Sequence, residues 1–105
     1  SDAEIEQAIR DAQQYAGQDN LRKEAIALTG DAQKVLSQAQ RALKNGGKQI
    51  DRAVKKRVKG DINALSKLMG KFRLDRMTED DLTAIRQAKD NLERSAGEII
   101  AQYGN

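Results

Sequence analysis

Leu21, Ala25, Leu28, Ala32, Val35, Ala39 and Ala42 follow one another at alternating steps of four and three residues. A strand would need apolar residues at every second position, so only a helix can gather this series on one side. The 105 residues contain no proline, and nothing in the series therefore removes a backbone donor or forces a kink. One long helix is expected. Ile26, Leu36 and Leu43 are expected to widen its stripe toward the C-terminal end. The first half offers mostly alanine and is expected to project, whereas the larger side chains of the second half suit packing among other helices. Asn45, Gly46 and Gly47 end it, because glycine adopts the left-handed conformation of a C-terminus without steric cost.

Upstream, Ser1 and Glu4 have the spacing of a capping box, in which each side chain satisfies an amide that the first turn leaves unpaired. Ile5, Ala8, Ile9, Ala12 and Ala16 then line a narrow stripe. Gly17 is expected to interrupt, with Asp19 placed to cap the long helix. The sequence thus predicts a short helical arm over 1–18, a long helix over 19–45, and the remainder of a helical bundle over 46–105. In that last part Ile50, Val54, Val58, Ile62 or Leu65, Leu68, Met69 and Phe72 mark a third helix, weakened at Gly60 and Gly70. A final helix begins at Thr78 and carries Leu82, Ile85, Leu92, Ala96, Ile99 and Tyr103 on one face. The fold class is all-α: one domain, with a small antiparallel three-helix bundle formed by the second half of the long helix and the two helices after it.

The same composition narrows the chemistry. Histidine and cysteine are absent, which removes the commonest general base, the commonest transition-metal ligand, and all thiolate and disulfide chemistry. The densest acidic group, Glu79, Asp80 and Asp81 after Thr78, reads as a helix start whose carboxylates complement the dipole rather than as a magnesium site or catalytic dyad. No phosphate-binding glycine loop or nucleophile motif is present. No catalytic residue, metal site or cofactor is expected within these residues. No apolar run has the length to cross a bilayer, so no membrane contact is expected.

Two anomalies remain. Arg52, Lys55, Lys56, Arg57 and Lys59 meet few acids, and four of them (Arg52, Lys55, Lys56 and Lys59) share the helix side turned away from Ile50, Val54 and Val58. That face could bind phosphate backbones weakly. The competing reading, a solvated helix face, is favoured by a net charge of only +3 and by three scattered aromatic rings that form no stacking platform. The second anomaly is Gly30 in "ALTGDAQ", which is either a tolerated soft spot costing about 1 kcal/mol or a hinge.

"SDAEIEQAIRDAQQYAGQD" resembles the segment that opens the C-terminal helical lid of DnaK-type chaperones, the seventy-kilodalton heat-shock proteins. The match rests on Ser1, Glu4, Ile5, Asp11, Ala12, Ala16 and Asp19 and continues through "RKEAIALTGDAQKVLSQAQRALK" to Ile50. Helix three is more basic than the family pattern and residues 70–77 look like added length, while "TEDDLTAIRQAKDNLE" again resembles the family's penultimate helix. The resemblance implies a lid that comes after a nucleotide-binding domain and a β-sandwich in a longer chain. The lid would lie over the sandwich and slow escape of bound unfolded polypeptide. ATP and magnesium would belong to the separate nucleotide-binding domain, and this segment would hydrolyse nothing. Asp19 matches an acid that holds lid to sandwich; Gln33 stands where many members carry a latch aspartate, and Ser37 where another latch contact arises. Neutral Gln33 loses the charge-assisted part of that contact, and Asp31 lies roughly 200° around the helix from it, a poor substitute. Gly17 and Gly30 are the implied hinge positions. The implied partners are the sandwich of the same chain and, indirectly, unfolded clients, in a cytoplasmic parent of bacterial or organelle type. From another class comes the alternative of a free-standing interaction module whose basic face binds nucleic acid. With the arm's apolar stripe left uncovered, self-association is expected, the arm either straightening into the long helix or swapping onto a neighbouring molecule.

Overall fold

A computed structural model describes residues 2–105, so the Ser1 half of the expected capping box lies outside the described residues. Three helices account for nearly all of it: α1 over Asp2–Gly46, α2 over Arg52–Lys71 and α3 over Glu79–Tyr103. Single 3₁₀ turns, Gly47–Gln49 and Leu74–Arg76, lie in the two connections. No strand occurs among the described residues.

The break expected at Gly17 is not made. α1 continues through Gly17, Asp19 and Gly30 for 45 residues, so the arm and the long helix are one rod and Asp19 caps nothing. The physical reason is local. A single exposed glycine costs about 1 kcal/mol in a helix, less than opening the ladder of backbone hydrogen bonds on either side of it. The arm is straightened into the long helix, one of the two outcomes expected for it.

The rod ends as its glycines require. Gly47 has φ +48°, the left-handed turn that reverses the chain. Gly46 is buried because Ile50 and Tyr103 pack where a side chain would stand. Ile50 itself precedes α2 and fills this corner from the connection. At the start of α3 the Asp81 amide donates to Thr78 Oγ1, and the Thr78 amide donates to the Asp81 carboxylate, both at 3.1 Å. Thr78 is the cap that the sequence placed there, and the return bond to Asp81 makes it a reciprocal one.

All three helices contribute to one core. From α1 come Ala25, Leu28, Ala32, Leu36, Ala39 and Ala42; from α2, Val58, Ile62 and Leu65; from α3, Leu82, Ile85, Leu92, Ala96 and Ile99. Four of the six α1 positions are alanine, which lets the other helices approach the rod closely. The C-terminal ends of α1 and α3 lie together, where Asn45 Nδ2 donates to the Tyr103 carbonyl at 2.9 Å and the Tyr103 hydroxyl donates to Gln49 Oε1 at 3.0 Å. The C-terminal end of α2 instead lies beside the middle of α1, with Ser66, Met69 and Gly70 facing Gln33, Ser37 and Gln40.

Residues 2–20 of α1 are exposed throughout, and burial starts at Leu21 and Ala25. The core therefore reaches further up the rod than its alanine content led us to expect. The projecting stretch is about 28 Å long at 1.5 Å per residue, and it gives the molecule its 72 × 20 × 18 Å shape. Ile26 corrects a second expectation. It does not widen the core stripe but stays 54% exposed on the other side of the helix.

Candidate functional site

Helix geometry decides which residues of α1 are available to a partner. At about 100° per residue, Asp19, Ile26, Gly30, Gln33 and Ser37 fall within about 60° of one another, and turned some 110–175° from the centre of the buried row. The core uses one side of the rod and leaves this one open. Toward the N-terminus the same side carries Ile5, Ala8, Ala12 and Tyr15, with Ile5 60% and Tyr15 74% exposed.

Asp19 stands near the base of the projecting stretch and pairs with Lys23 at 3.6 Å. Both side chains are largely solvated, so this contact contributes little and can be exchanged for a partner's cation. Gln33 and Ser37 lie about 21–27 Å further along the axis. Both are exposed and border an open groove whose other wall is Ser66, Met69 and Gly70 of α2. The three latch candidates thus share a face without touching: they form a row of contact points, not a cluster. Gly17 and Gly30 sit on continuous helix, and a methyl group added at either would meet nothing within 4 Å. Thr29, beside Gly30, bends its hydroxyl back to the Ile26 carbonyl at 3.2 Å.

Arg52, Lys56 and Lys59 are at the opposite end of the molecule, exposed on the first two turns of α2, and Lys55 beside them is half-buried. Among the described residues none of them pairs with a carboxylate. Their side of α2 continues into Ser66 and Gly70, which border the groove with Gln33 and Ser37, but none of the four cations is among the residues that line it. No group of three or more potential metal ligands occurs among the described residues, and no described helix is long and apolar enough to cross a membrane.

Ile26 is the exposed apolar residue that sequence periodicity misplaced. Its signal was present as angle: it stands about 130° from the middle of the row formed by Ala25, Leu28 and Ala32. The far wall of the groove at Ser66, Met69 and Gly70 had no local signal, because it depends on how α2 returns along α1.

The model of the Hsp70 protein family matches residues 1–104. The chain belongs to the Hsp70 family. A curated relative, the mitochondrial heat shock protein SSC3 of Saccharomyces cerevisiae, is 28% identical over 104 residues. That match takes in 97% of this chain and 16% of the relative, so the chain spans about a sixth of the length of the relative it matches. No solved structure matches it. The chain is thus an all-helical region of a chaperone-related protein, and among the described residues no catalytic constellation is present.

Proposed function

We propose that this chain is the lid of the substrate-binding domain of an ATP-dependent Hsp70 chaperone. Its small three-helix bundle anchors the C-terminal half of α1, and the free face of α1 covers a β-sandwich of the same parent chain. The observation that carries the reading is the open side of the rod: Asp19, Gln33 and Ser37, the residues that match latch positions of the family, all fall on the side the core does not use. A continuous rod also suits the role mechanically. A helix joined to the bundle by an unbroken hydrogen-bond ladder transmits movement at its free end to its anchored end, which a flexible tether would not do.

Under this reading the latch is weak at its middle. Gln33 can accept or donate a hydrogen bond but offers no charge, and Asp19 carries the charged contact alone. Release of bound unfolded polypeptide is then governed by how readily the rod lifts, and ATP and magnesium act from the separate nucleotide-binding domain. A parent of organelle type is supported by the mitochondrial relative. Nothing in the surface or the comparisons favours the nucleic-acid alternative.

The test is peptide dissociation from the intact parent, with Asp19→Ala and Gln33→Ala made singly and together. Asp19→Ala is expected to speed dissociation several-fold and Gln33→Ala less, in keeping with a charge-assisted bond being roughly twice as strong as a neutral one. Unchanged dissociation in the double variant, with the fold intact by circular dichroism, would remove these residues from the latch.

A further inference from the structure

The two connections of the bundle are fastened by different means. The first, after α1, is held by Ile50, only 7% exposed, by the Tyr103 hydroxyl donating to Gln49, and by Asn45 donating to the Tyr103 carbonyl. The second, residues 72–78, passes α1 where burial begins, and its 3₁₀ turn Leu74–Arg76 packs against the rod there. Leu74, Asp75 and Met77 share the lining of an open hollow with Gln18, Leu21 and Arg22 of α1. Leu21 and Met77 are half-buried, and Leu74 is 44% exposed. Among the described residues no hydrogen bond or ion pair joins residues 72–78 to α1: the Phe72 amide donates back to Met69, the Arg76 amide to Arg73, and Thr78 bonds with Asp81. This end is held to the rod by partial apolar contact alone.

We propose that the second connection is a clip that closes on Leu21 and sets how much of α1 is free. A segment with few buried contacts opens at a lower free energy than the whole fold, and the rest of the core does not need this one. After Leu21 the next large side chain buried on α1 is Leu28, two turns on; Ala25 between them brings only a methyl group. With the clip closed, residues 2–20 project, about 28 Å at 1.5 Å per residue. With it open, α1 is first gripped by a large side chain at Leu28, and residues 2–27 project, about 39 Å.

The lever thus lengthens by about two turns while the bundle stays folded. Val58, Ile62 and Leu65 of α2 and Leu92, Ala96 and Ile99 of α3 keep their places against Leu36, Ala39 and Ala42 in the one core. The hydrogen-bonded corner at Gln49 and Tyr103 keeps the far end shut, so opening starts from the projecting end. The clip belongs to the chain alone, whatever the projecting stretch covers; where that stretch is the arm of a lid, the clip sets the arm's length. The exchange experiment below and the peptide-dissociation test can therefore fail separately.

Amide hydrogen exchange of the 105-residue chain, read residue by residue by NMR, tests the clip. Residues 2–20 are expected to exchange fastest, residues 32–46 slowest, and residues 21–27 at a rate between them that opening of the clip sets. Leu74→Ala leaves the sequence of α1 untouched. It is expected to speed exchange of residues 21–27 at least about fivefold and to leave residues 32–46 within about twofold of the parent sequence. Leu21→Ala is expected to do the same although alanine is the better helix former, so the rate reports lost contact and not lost propensity. Because the two side chains act through one contact, the double variant is expected to exchange no faster than the faster single variant, whereas independent sites would multiply their effects. Unchanged exchange of residues 21–27 in Leu74→Ala overturns the proposal. Equal acceleration through all three helices overturns it as well, since Leu74 is then an ordinary part of the core, and so do effects that multiply in the double variant.

Discussion

Two glycines on one helix should respond in opposite ways to the same substitution. At Gly46 a methyl group would meet the Ile50 side chain, with Cγ1 at 2.6 Å, and Tyr103 Cδ2 at 2.9 Å. Neither neighbour is the loose end of a flexible side chain: Ile50 is 7% exposed, and Tyr103 is held through its hydroxyl to Gln49 and through its carbonyl to Asn45. Gly46→Ala must displace the corner where α1, the first connection and α3 meet, and overpacking of this kind costs about 1–3 kcal/mol. At Gly30 the same methyl meets nothing within 4 Å, and only the helix propensity remains, about 1 kcal/mol in favour of alanine. Urea unfolding followed by circular dichroism at 222 nm, fitted with a common m-value, measures both. The expected order is Gly30→Ala above the parent sequence and Gly46→Ala below it, separated by about 2–4 kcal/mol from the sum of those two effects. A neutral or stabilising Gly46→Ala would refute the close packing of Ile50 and Tyr103 on that glycine. If Gly30 also acts as a hinge in the intact parent, Gly30→Ala is expected to alter peptide release there; an unaltered rate beside a raised stability makes it a tolerated soft spot.

Thr78→Ala, which removes the acceptor for the Asp81 amide, is expected to lose about 1 kcal/mol in the same urea assay, the usual cost of a helix cap. Leu92→Ala empties a fully buried site on α3 and is expected to cost about 2–5 kcal/mol, whereas Ile26→Ala, on the open face, is expected to stay within about 0.5 kcal/mol of the parent sequence.

The helical class, the stop at Gly46–Gly47, the start at Thr78 and most of the core were legible in the sequence for one physical reason. Each rests on contacts within a few residues: the three-four spacing of Leu28, Ala32 and Val35, the Thr78–Asp81 cap, the Gly46–Gly47 stop. What failed was the weight given to a local defect. Gly17 read as a break because glycine is a poor helix former, yet an isolated defect costs less than the ladder it would interrupt, and α1 runs through it. Ile26 failed differently. A periodic series assigns every nearby apolar residue to the same stripe unless its angle is worked out, and Ile26 is on the far side. The groove between Gln33 and Ser66 is set by the return of α2 along α1, which no single segment of sequence encodes.

The account turns on the free side of α1 being a covering surface for another domain. Dissociation of a labelled unfolded peptide from the intact parent, compared with the same parent lacking these 105 residues, tests it most directly. Markedly faster dissociation from the shortened protein, with the peptide still able to bind, is the expected result. Identical dissociation from both would contradict the account.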